Sequence, residues 1–229
     1  MKSIIYRLYS LCVTTTVSYI LTGNIKTALT IGFFDSMVKI GTYYGFDTIW
    51  SGIFNKKIKP SVLFFTGFSG SGKTTIGQQV FDELQMKGQK VMMLDGDEIR
   101  KFFPNTGFDE ESRKKHNMNV GVMASFFQKQ GITCIVTLIA PYRDIRDKIR
   151  ENCENFIEIY VSTPLEDCEK RDPKGLYKKV RAGEIKDFTG IHASAPYESP
   201  VNPEITLNTL YNDHVQCAEQ VIDYAYGRK

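Results

Sequence analysis

Short apolar runs alternate with amphipathic stretches through residues 61–229, and this alternation predicts a regular succession of strands and helices. The five runs, each of the length of a buried strand, are residues 62–66, 91–94, 132–140, 155–163 and 205–208. Helical patterns follow the first run, fill residues 110–130 and close the chain. Because strands and helices alternate, we expect a three-layer α/β sandwich built on a five-stranded parallel sheet.

The first fifty-odd residues follow a different pattern. Residues 8–25 contain no charged side chain, and as a helix they would extend about 27 Å, close to the hydrocarbon thickness of a bilayer. A turn signal leads to a second apolar stretch, residues 25–50, which carries Asp35 and Lys39. At this i, i+4 spacing the two charges can pair on a helix. We therefore predict a two-helix membrane hairpin over residues 1–54, and the alternative is a pair of amphipathic helices at an interface or against a core.

Basic residues flank the predicted hairpin on both sides, at positions 2, 7, 56, 57 and 59. By the positive-inside rule, both ends of the hairpin are then cytosolic. We accordingly expect a membrane-associated protein whose two termini and second domain face the cytosol. Residues 55–60 are predicted to be a linker, and residues 61–229 this second domain.

Charge and cysteine content exclude several classes of protein. Residues 1–59 carry a net charge of +5, so the remaining chain carries −2 of the total of +3. A domain with this negative net charge is not a nucleic-acid-binding surface. The five cysteines are scattered without a C-x-x-C pair, which argues against a disulfide framework or a zinc site.

A glycine-rich loop follows the first predicted strand. Residues 67–74, GFSGSGKT, match the pattern G-x-x-x-x-G-K-[ST] between a strand and a helix. Glycines let backbone amides wrap phosphates, Lys73 adds charge at the β- and γ-phosphates, and the Thr74 hydroxyl can ligate magnesium. We therefore predict ATP and Mg²⁺ as cofactors. The predicted ATP-binding residues are Gly67, Phe68, Ser69, Gly70, Ser71, Gly72, Lys73, Thr74 and Thr75.

Two carboxylates, Asp95 and Asp97, follow the second predicted strand. Ligands of open α/β sheets bind at the carboxyl ends of strands, so both side chains are expected near the ATP site. A carboxylate there can hold magnesium or accept a proton from an attacking hydroxyl, whereas turn formation is the structural alternative. We predict Lys73, Asp95 and Asp97 as catalytic residues, and Thr74 with Asp95 as metal ligands.

Residues 171–200 are rich in Lys, Arg, Gly and Pro and lack a long apolar face. This composition is typical of a lid that closes over phosphates and excludes water. The alternative for the same segment is a solvated helical hairpin.

Taken together, these motifs resemble the adenylylsulfate kinase family from residue 61 to about residue 209. The matching segments are GFSGSGKTT, DGDEIR, TGFDEESR, APYRDIRD, RDPKGLYKKVRAGEIKDFTGI and PYESPVNPEI. The resemblance implies transfer of the ATP γ-phosphoryl group to the 3′-hydroxyl of adenosine 5′-phosphosulfate (APS), a step of sulfate activation. The N-terminal segment is similar to a small two-helix membrane domain sometimes found ahead of sulfate-activation enzymes.

The resemblance also implies a binding site for a small nucleotide acceptor. Arg100 and Arg113 match arginines that contact the phosphosulfate, while Phe108 and Phe188 match two rings that sandwich the adenine. Stacking of a base on an aromatic ring contributes about 1–3 kcal/mol. The implied acceptor-binding residues are Arg100, Phe108, Arg113, His116, Arg143, Lys174, Lys186 and Phe188. A homodimer is compatible with the sequence.

The chain departs from the family pattern at four positions near this site. His116 stands where an asparagine is usual, and Met118 and Asn119 replace two arginines. Ala140 replaces a serine that carries phosphate in some members, so direct transfer from ATP is expected. Because of these departures, a kinase for another nucleotide with a free 3′-hydroxyl, for instance in polysaccharide decoration, is the first alternative. A membrane-anchored nucleotide-binding switch is the second.

Overall fold

The computed structural model describes residues 13–54, 58–103 and 107–227. The chain divides into two compact units, Met1–Lys56 and Lys57–Lys229. The start of the first predicted helix, the basic residues ahead of it and half of the predicted linker lie outside the described residues.

Two helices form the described part of the N-terminal unit. Helix α1 is described over residues 13–22, and helix α2 spans Ile25–Phe54. The side chain of Asn24 caps α2, because its Oδ1 accepts hydrogen bonds from the amides of Lys26 (2.9 Å) and Thr27 (3.3 Å). The turn that the sequence predicts between two helices is therefore present.

A polar cluster joins α1 to α2. The predicted ion pair forms, with Lys39 Nζ 2.7 Å from Asp35 Oδ2. The Thr14 hydroxyl of α1 donates a hydrogen bond of 3.0 Å to the same carboxylate. The cluster gives Asp35 and Lys39 partners within the pair of helices, as their spacing in the sequence predicts.

Large apolar side chains of α1 and α2 are exposed within the unit. They include Val17, Ile20, Leu21, Ile25, Leu29, Phe33, Phe34 and Met37. Even so, none of the helices in the described ranges is long and apolar enough to cross a membrane. Charged residues and several Gly, Ser and Thr residues interrupt the apolar sequence of α2.

The second unit is built on a parallel sheet of five strands in the order β2-β3-β1-β4-β5. The strands are β1 (Val62–Thr66), β2 (Val91–Asp95), β3 (Thr133–Thr137), β4 (Phe156–Val161) and β5 (Ile205–Leu207). All five predicted strands are present. The third ends earlier than the apolar run 132–140 indicates, because the chain turns away after β3 and Ala140 adopts a positive φ of 43°.

Seven helices of the second unit are described. They are α3 (Lys73–Met86), α4 (Gly96–Phe102), α5 (Glu110–Lys129), α6 (Arg143–Glu151), α7 (Leu165–Arg171), α8 (Leu176–Arg181) and α9 (His214–Ala225). Helices α3 and α9 pack with one face of the sheet, and α5 and α6 pack with the other. Alternate residues of β1 face the apolar cores on opposite sides of the sheet: Leu63 packs on the side of α3 and α9, and Phe64 on the side of α5 and α6. The predicted three-layer α/β sandwich is confirmed.

Candidate active site

The phosphate-binding loop connects β1 to α3, and its backbone leaves no room for larger residues at Gly67. A Cβ atom there would lie 2.6 Å from the carbonyl oxygen of Val161, and the residue has a φ of 146°. Lys73 folds over the loop, where its Nζ donates to the carbonyl oxygens of Gly67 (3.0 Å) and Phe68 (2.6 Å). Burial lowers the pKa of Lys73 to about 8, since an ammonium group in a poorly solvated site loses hydration.

Asp95 ends β2 and lies against the phosphate-binding loop. Its Oδ2 accepts hydrogen bonds from the hydroxyls of Thr74 (3.0 Å) and Thr137 (2.7 Å). Its Oδ1 caps α4 by accepting from the amides of Asp97 (3.0 Å) and Glu98 (3.4 Å). Burial acts to raise the pKa of Asp95, but these hydrogen bonds outweigh it and hold the pKa below its ordinary value. The carboxylate is therefore ionised and fixed in direction.

Asp97 lies one residue into α4 and is much more exposed than Asp95. Its carboxylate forms an ion pair with Lys174 Nζ, which belongs to the segment predicted to be a lid. The two side chains remain 68% and 54% exposed, so the pair lies at the mouth of the site rather than beneath it. A substrate hydroxyl can therefore reach Asp97.

The two predicted arginines of the acceptor site hold neighbouring loops. Arg100 donates to the carbonyl oxygen of Gly107 at 3.0 Å, and its guanidinium lies 4.6 Å from the centre of the Phe108 ring. Arg113 donates to the Asp187 carbonyl oxygen and to the Thr189 hydroxyl, both in the lid. Arg113 thus attaches the predicted lid segment to α5.

The two predicted stacking rings differ in burial. Phe108 is 65% exposed, whereas Phe188 is buried with its ring 5.0 Å from that of Tyr177 at an interplanar angle of 72°. The Phe108 ring is therefore accessible beside the Arg100 guanidinium, while the Phe188 ring is packed within the predicted lid.

One cavity of about 840 Å³ joins the phosphate-binding loop to the lid. The predicted site residues that line it are Ser69, Gly70, Gly72, Lys73, Thr74, Thr75, Asp95, Asp97, Arg100, Phe108, Arg113, His116, Lys174, Lys186 and Phe188. Gly67, Phe68 and Ser71 belong to the loop but do not line the cavity. Arg143 lies elsewhere: its Nε donates to the Ser199 carbonyl oxygen at 2.7 Å, and it lines a second cavity of about 290 Å³.

The positions that depart from the family pattern have distinct surroundings. His116 is buried and its Nε2 lies 3.1 Å from the Gly96 carbonyl oxygen. Burial, and next the charge of Arg100, lower the pKa of His116, which favours the neutral ring. Met118 packs against the apolar core, and Ala140 is buried after β3.

Sequence reasoning missed Thr137, Asn117 and Tyr177. Thr137 orients Asp95, and its place at the carboxyl end of a predicted strand was an available signal. Asn117 lines the cavity, with a buried Nδ2 that has no hydrogen-bond partner among the described residues. Tyr177 is buried in the lid and donates to the Ser69 carbonyl oxygen at 2.9 Å. Nothing in the local pattern around Asn117 or Tyr177 distinguishes them from core residues.

A parallel sheet, a G-x-x-x-x-G-K-T loop and an oriented carboxylate at the end of the next strand define a P-loop phosphotransferase. Comparison with known proteins narrows the class. The family model described as Adenylylsulphate kinase matches residues 59–208, and the chain belongs to that family. Residues 1–51 match a second family, described as Predicted membrane protein (DUF2061).

Individual relatives agree with this assignment. The adenylyl-sulfate kinase of Staphylococcus epidermidis is 44% identical over 169 residues, which cover 72% of this chain and 84% of the relative. The probable adenylyl-sulfate kinase of Bacillus subtilis is 44% identical over 171 residues, covering 73% and 86%. The structure of the Mycobacterium tuberculosis APS kinase CysC in complex with AMPPNP and APS has a TM-score of 0.68 and 36% identity. It covers 73% of this chain and 97% of that one.

Proposed function

We propose that the chain transfers the γ-phosphoryl group of ATP to the 3′-hydroxyl of APS. The observation that carries this proposal is the single cavity that extends from Lys73 past Asp95 and Asp97 to Phe188. A cavity of this kind can hold a nucleotide donor and a nucleotide acceptor next to each other. The Mycobacterium tuberculosis relative, solved with AMPPNP and APS, supports APS as the acceptor.

The residues of the cavity fit an in-line transfer. Asp97 is exposed to the cavity and would accept the proton of the 3′-hydroxyl as the new oxygen–phosphorus bond forms. The bond between the γ-phosphorus and the β–γ bridging oxygen breaks, and ADP leaves with that oxygen. Lys73 would stabilise the charge on the transferred group. Since Ala140 has no hydroxyl, transfer proceeds without a phosphoenzyme at that position.

Two oxygen ligands fit a magnesium ion next to the loop. Thr74 Oγ1 and Asp95 Oδ2 lie 3.0 Å apart, and the Asp95 carboxylate is ionised. Mg²⁺ usually keeps several waters and binds through one or two carboxylates together with substrate phosphates, so a larger protein cage is not needed. When bound there, the ion would neutralise charge on the β- and γ-phosphates.

An acceptor panel tests the proposal. ADP release from the full chain should be fast with APS and slow with AMP or with adenosine nucleotides that carry other 5′ groups. The Lys73→Ala variant should lower turnover by orders of magnitude with every acceptor. Faster turnover with a different nucleotide that has a free 3′-hydroxyl would favour that nucleotide as the acceptor. The departures from the family pattern at residues 116, 118 and 119 are the reason to include such nucleotides. Nucleotide binding without turnover for any acceptor would favour a switch.

We further propose that residues 1–54 attach the kinase domain to the cytosolic face of a membrane. The match of residues 1–51 to a predicted membrane protein family supports this, as do the exposed apolar side chains of α1 and α2. The full chain should then sediment with membranes, and a fragment starting near residue 59 should not. Resistance to carbonate extraction would indicate an integral hairpin, and extraction by carbonate would indicate interfacial helices. A full chain that fails to sediment would refute membrane attachment.

A further inference from the structure

Two adjacent residues of the phosphate-binding loop contact the lid. The Phe68 ring lies 4.8 Å from the Tyr197 ring, centre to centre. Gly190 packs so closely on Phe68 that a Cβ at position 190 would lie 2.4 Å from the ring. The carbonyl oxygen of the next residue, Ser69, accepts the 2.9 Å hydrogen bond from the Tyr177 hydroxyl. The loop and the lid are therefore in contact at a side chain and at a backbone atom.

Both contacts lead to Phe188. Gly190 belongs to a tight turn that begins near Phe188, and its amide donates to the Ala195 carbonyl oxygen at 2.9 Å. The edge-on contact between the rings of Tyr177 and Phe188 forms the second route. Because close-packed groups transmit strain, these contacts provide a route from the loop to the Phe188 ring.

Lys73 connects nucleotide binding to this arrangement. Its ammonium donates to the carbonyl oxygen of Phe68 at 2.6 Å, directly beside the ring that contacts the lid. A P-loop lysine reaches the β- and γ-phosphates when a nucleotide binds. Moving there exchanges the bond to Phe68 for contacts with phosphate. The backbone that carries the Phe68 ring therefore changes its partner as ATP arrives.

We propose that Phe68 and Tyr177 are positioning residues that transmit nucleotide binding to Phe188, so that ATP and the acceptor strengthen each other's binding. The coupling is reciprocal, as any coupling between two binding equilibria must be. The inference rests on the proposed function for the identity of the acceptor, but the contacts themselves do not depend on that identity.

Calorimetric titration of the full chain with APS, in the presence and absence of saturating AMPPNP, measures the coupling without turnover. In the wild type AMPPNP should tighten APS binding by about fivefold or more, the lower range of allosteric coupling. Phe68→Ala and Tyr177→Phe should each bring this factor towards one, and Phe68→Leu should give an intermediate value. Tyr177→Phe keeps the ring on Phe188 and removes the bond to Ser69.

Tyr226→Phe is the matched control. This buried tyrosine lies in the core formed with α3 and α9, where its hydroxyl accepts from Gln89 Nε2 at 3.2 Å. Its loss should leave the coupling factor unchanged. A wild-type factor that persists in both Phe68→Ala and Tyr177→Phe would overturn the proposal, and so would a wild-type factor of one.

Hydrogen exchange with AMPPNP alone separates the coupling from the acceptor assignment. AMPPNP should slow amide exchange in residues 188–195 of the wild type. Phe68→Ala should abolish that effect while residues 67–74 remain protected. If the wild type fails to bind APS but shows this pattern, the proposed acceptor is wrong and the coupling stands. If AMPPNP leaves residues 188–195 unprotected in the wild type, the coupling is refuted.

Discussion

Lys73 should make the activity of the enzyme decline at a lower pH than a lysine with an ordinary pKa would. The burial of its ammonium lowers the pKa to about 8 from 10.5. Since the protonated form is needed to bind the phosphates, kcat/KM for ATP should fall as pH rises through 8. At pH 9 about one lysine in eleven is charged, so kcat/KM should be about tenfold below its plateau. A lysine with the ordinary pKa would lose only a few per cent at that pH.

The assay is initial-rate kinetics from pH 7 to 10 with saturating acceptor and varied ATP. The value of kcat reports the nucleotide-bound enzyme, in which the phosphate charges favour the ammonium form of Lys73. The alkaline decline of kcat should therefore lie at higher pH than the decline of kcat/KM. Lys73→Arg keeps its charge above pH 12, so this slower variant should lack the limb near pH 8. A wild-type kcat/KM that stays level between pH 7.5 and 9.5 would refute the reasoning, as would an identical limb in Lys73→Arg.

Three further predictions concern single side chains. Phe188→Ala should weaken APS binding by about 1–3 kcal/mol in titrations that show little change in ATP affinity, and Phe188→Tyr should be mild. Equal losses for both ligands would mean that the ring is structural. Thr137→Val removes the 2.7 Å hydrogen bond to Asp95, worth about 1.5–3 kcal/mol. The valine variant should have a lower kcat and need a higher Mg²⁺ concentration for half-maximal activity, whereas Thr137→Ser should behave like the wild type. Wild-type kinetics in the valine variant would contradict this prediction. Arg146→Met removes the 2.7 Å partner of the buried Glu158, which keeps a 3.2 Å contact with Arg150. It should lower the free energy of unfolding by about 1.5–3 kcal/mol in denaturant titrations, and a change below 1 kcal/mol would count against a structural role for the pair.

The parallel sheet, the phosphate-binding loop and the position of Asp95 were predictable from the sequence, because their signals are local. An apolar run followed by glycines, Lys73 and Thr74 specifies strand, loop and helix within a few residues. Asp95 could be placed for the same reason, as the last residue of a strand. The end of β3 could not, since residues 138–140 are as apolar as the strand, and Leu138 and Ala140 are buried although they follow the end of the strand.

The acceptor half depends on contacts between distant residues. The motif around Arg143 resembles that of the family, yet its side chain is directed to Ser199 rather than to the main cavity. The contact of Phe68 with Gly190 joins segments more than a hundred residues apart. Neither periodicity nor composition carries that information. The helical nature of residues 25–54 was predictable from the sequence. Whether such a helix can span a membrane depends on the total hydropathy of the stretch, which a few polar residues can change.

The four hydrogen bonds at Asp95 bear on the choice of an inactive variant for work in cells. Its carboxylate holds the start of the helix that carries Asp97 and Arg100, in addition to the Thr74 hydroxyl. Replacing it with alanine would remove a helix cap together with the chemistry, and protein levels would fall along with activity. A phenotype from that allele could not be attributed to lost catalysis alone. Asp97→Asn alters a solvent-exposed carboxylate and leaves the cap in place, so it is the better allele for separating catalysis from abundance.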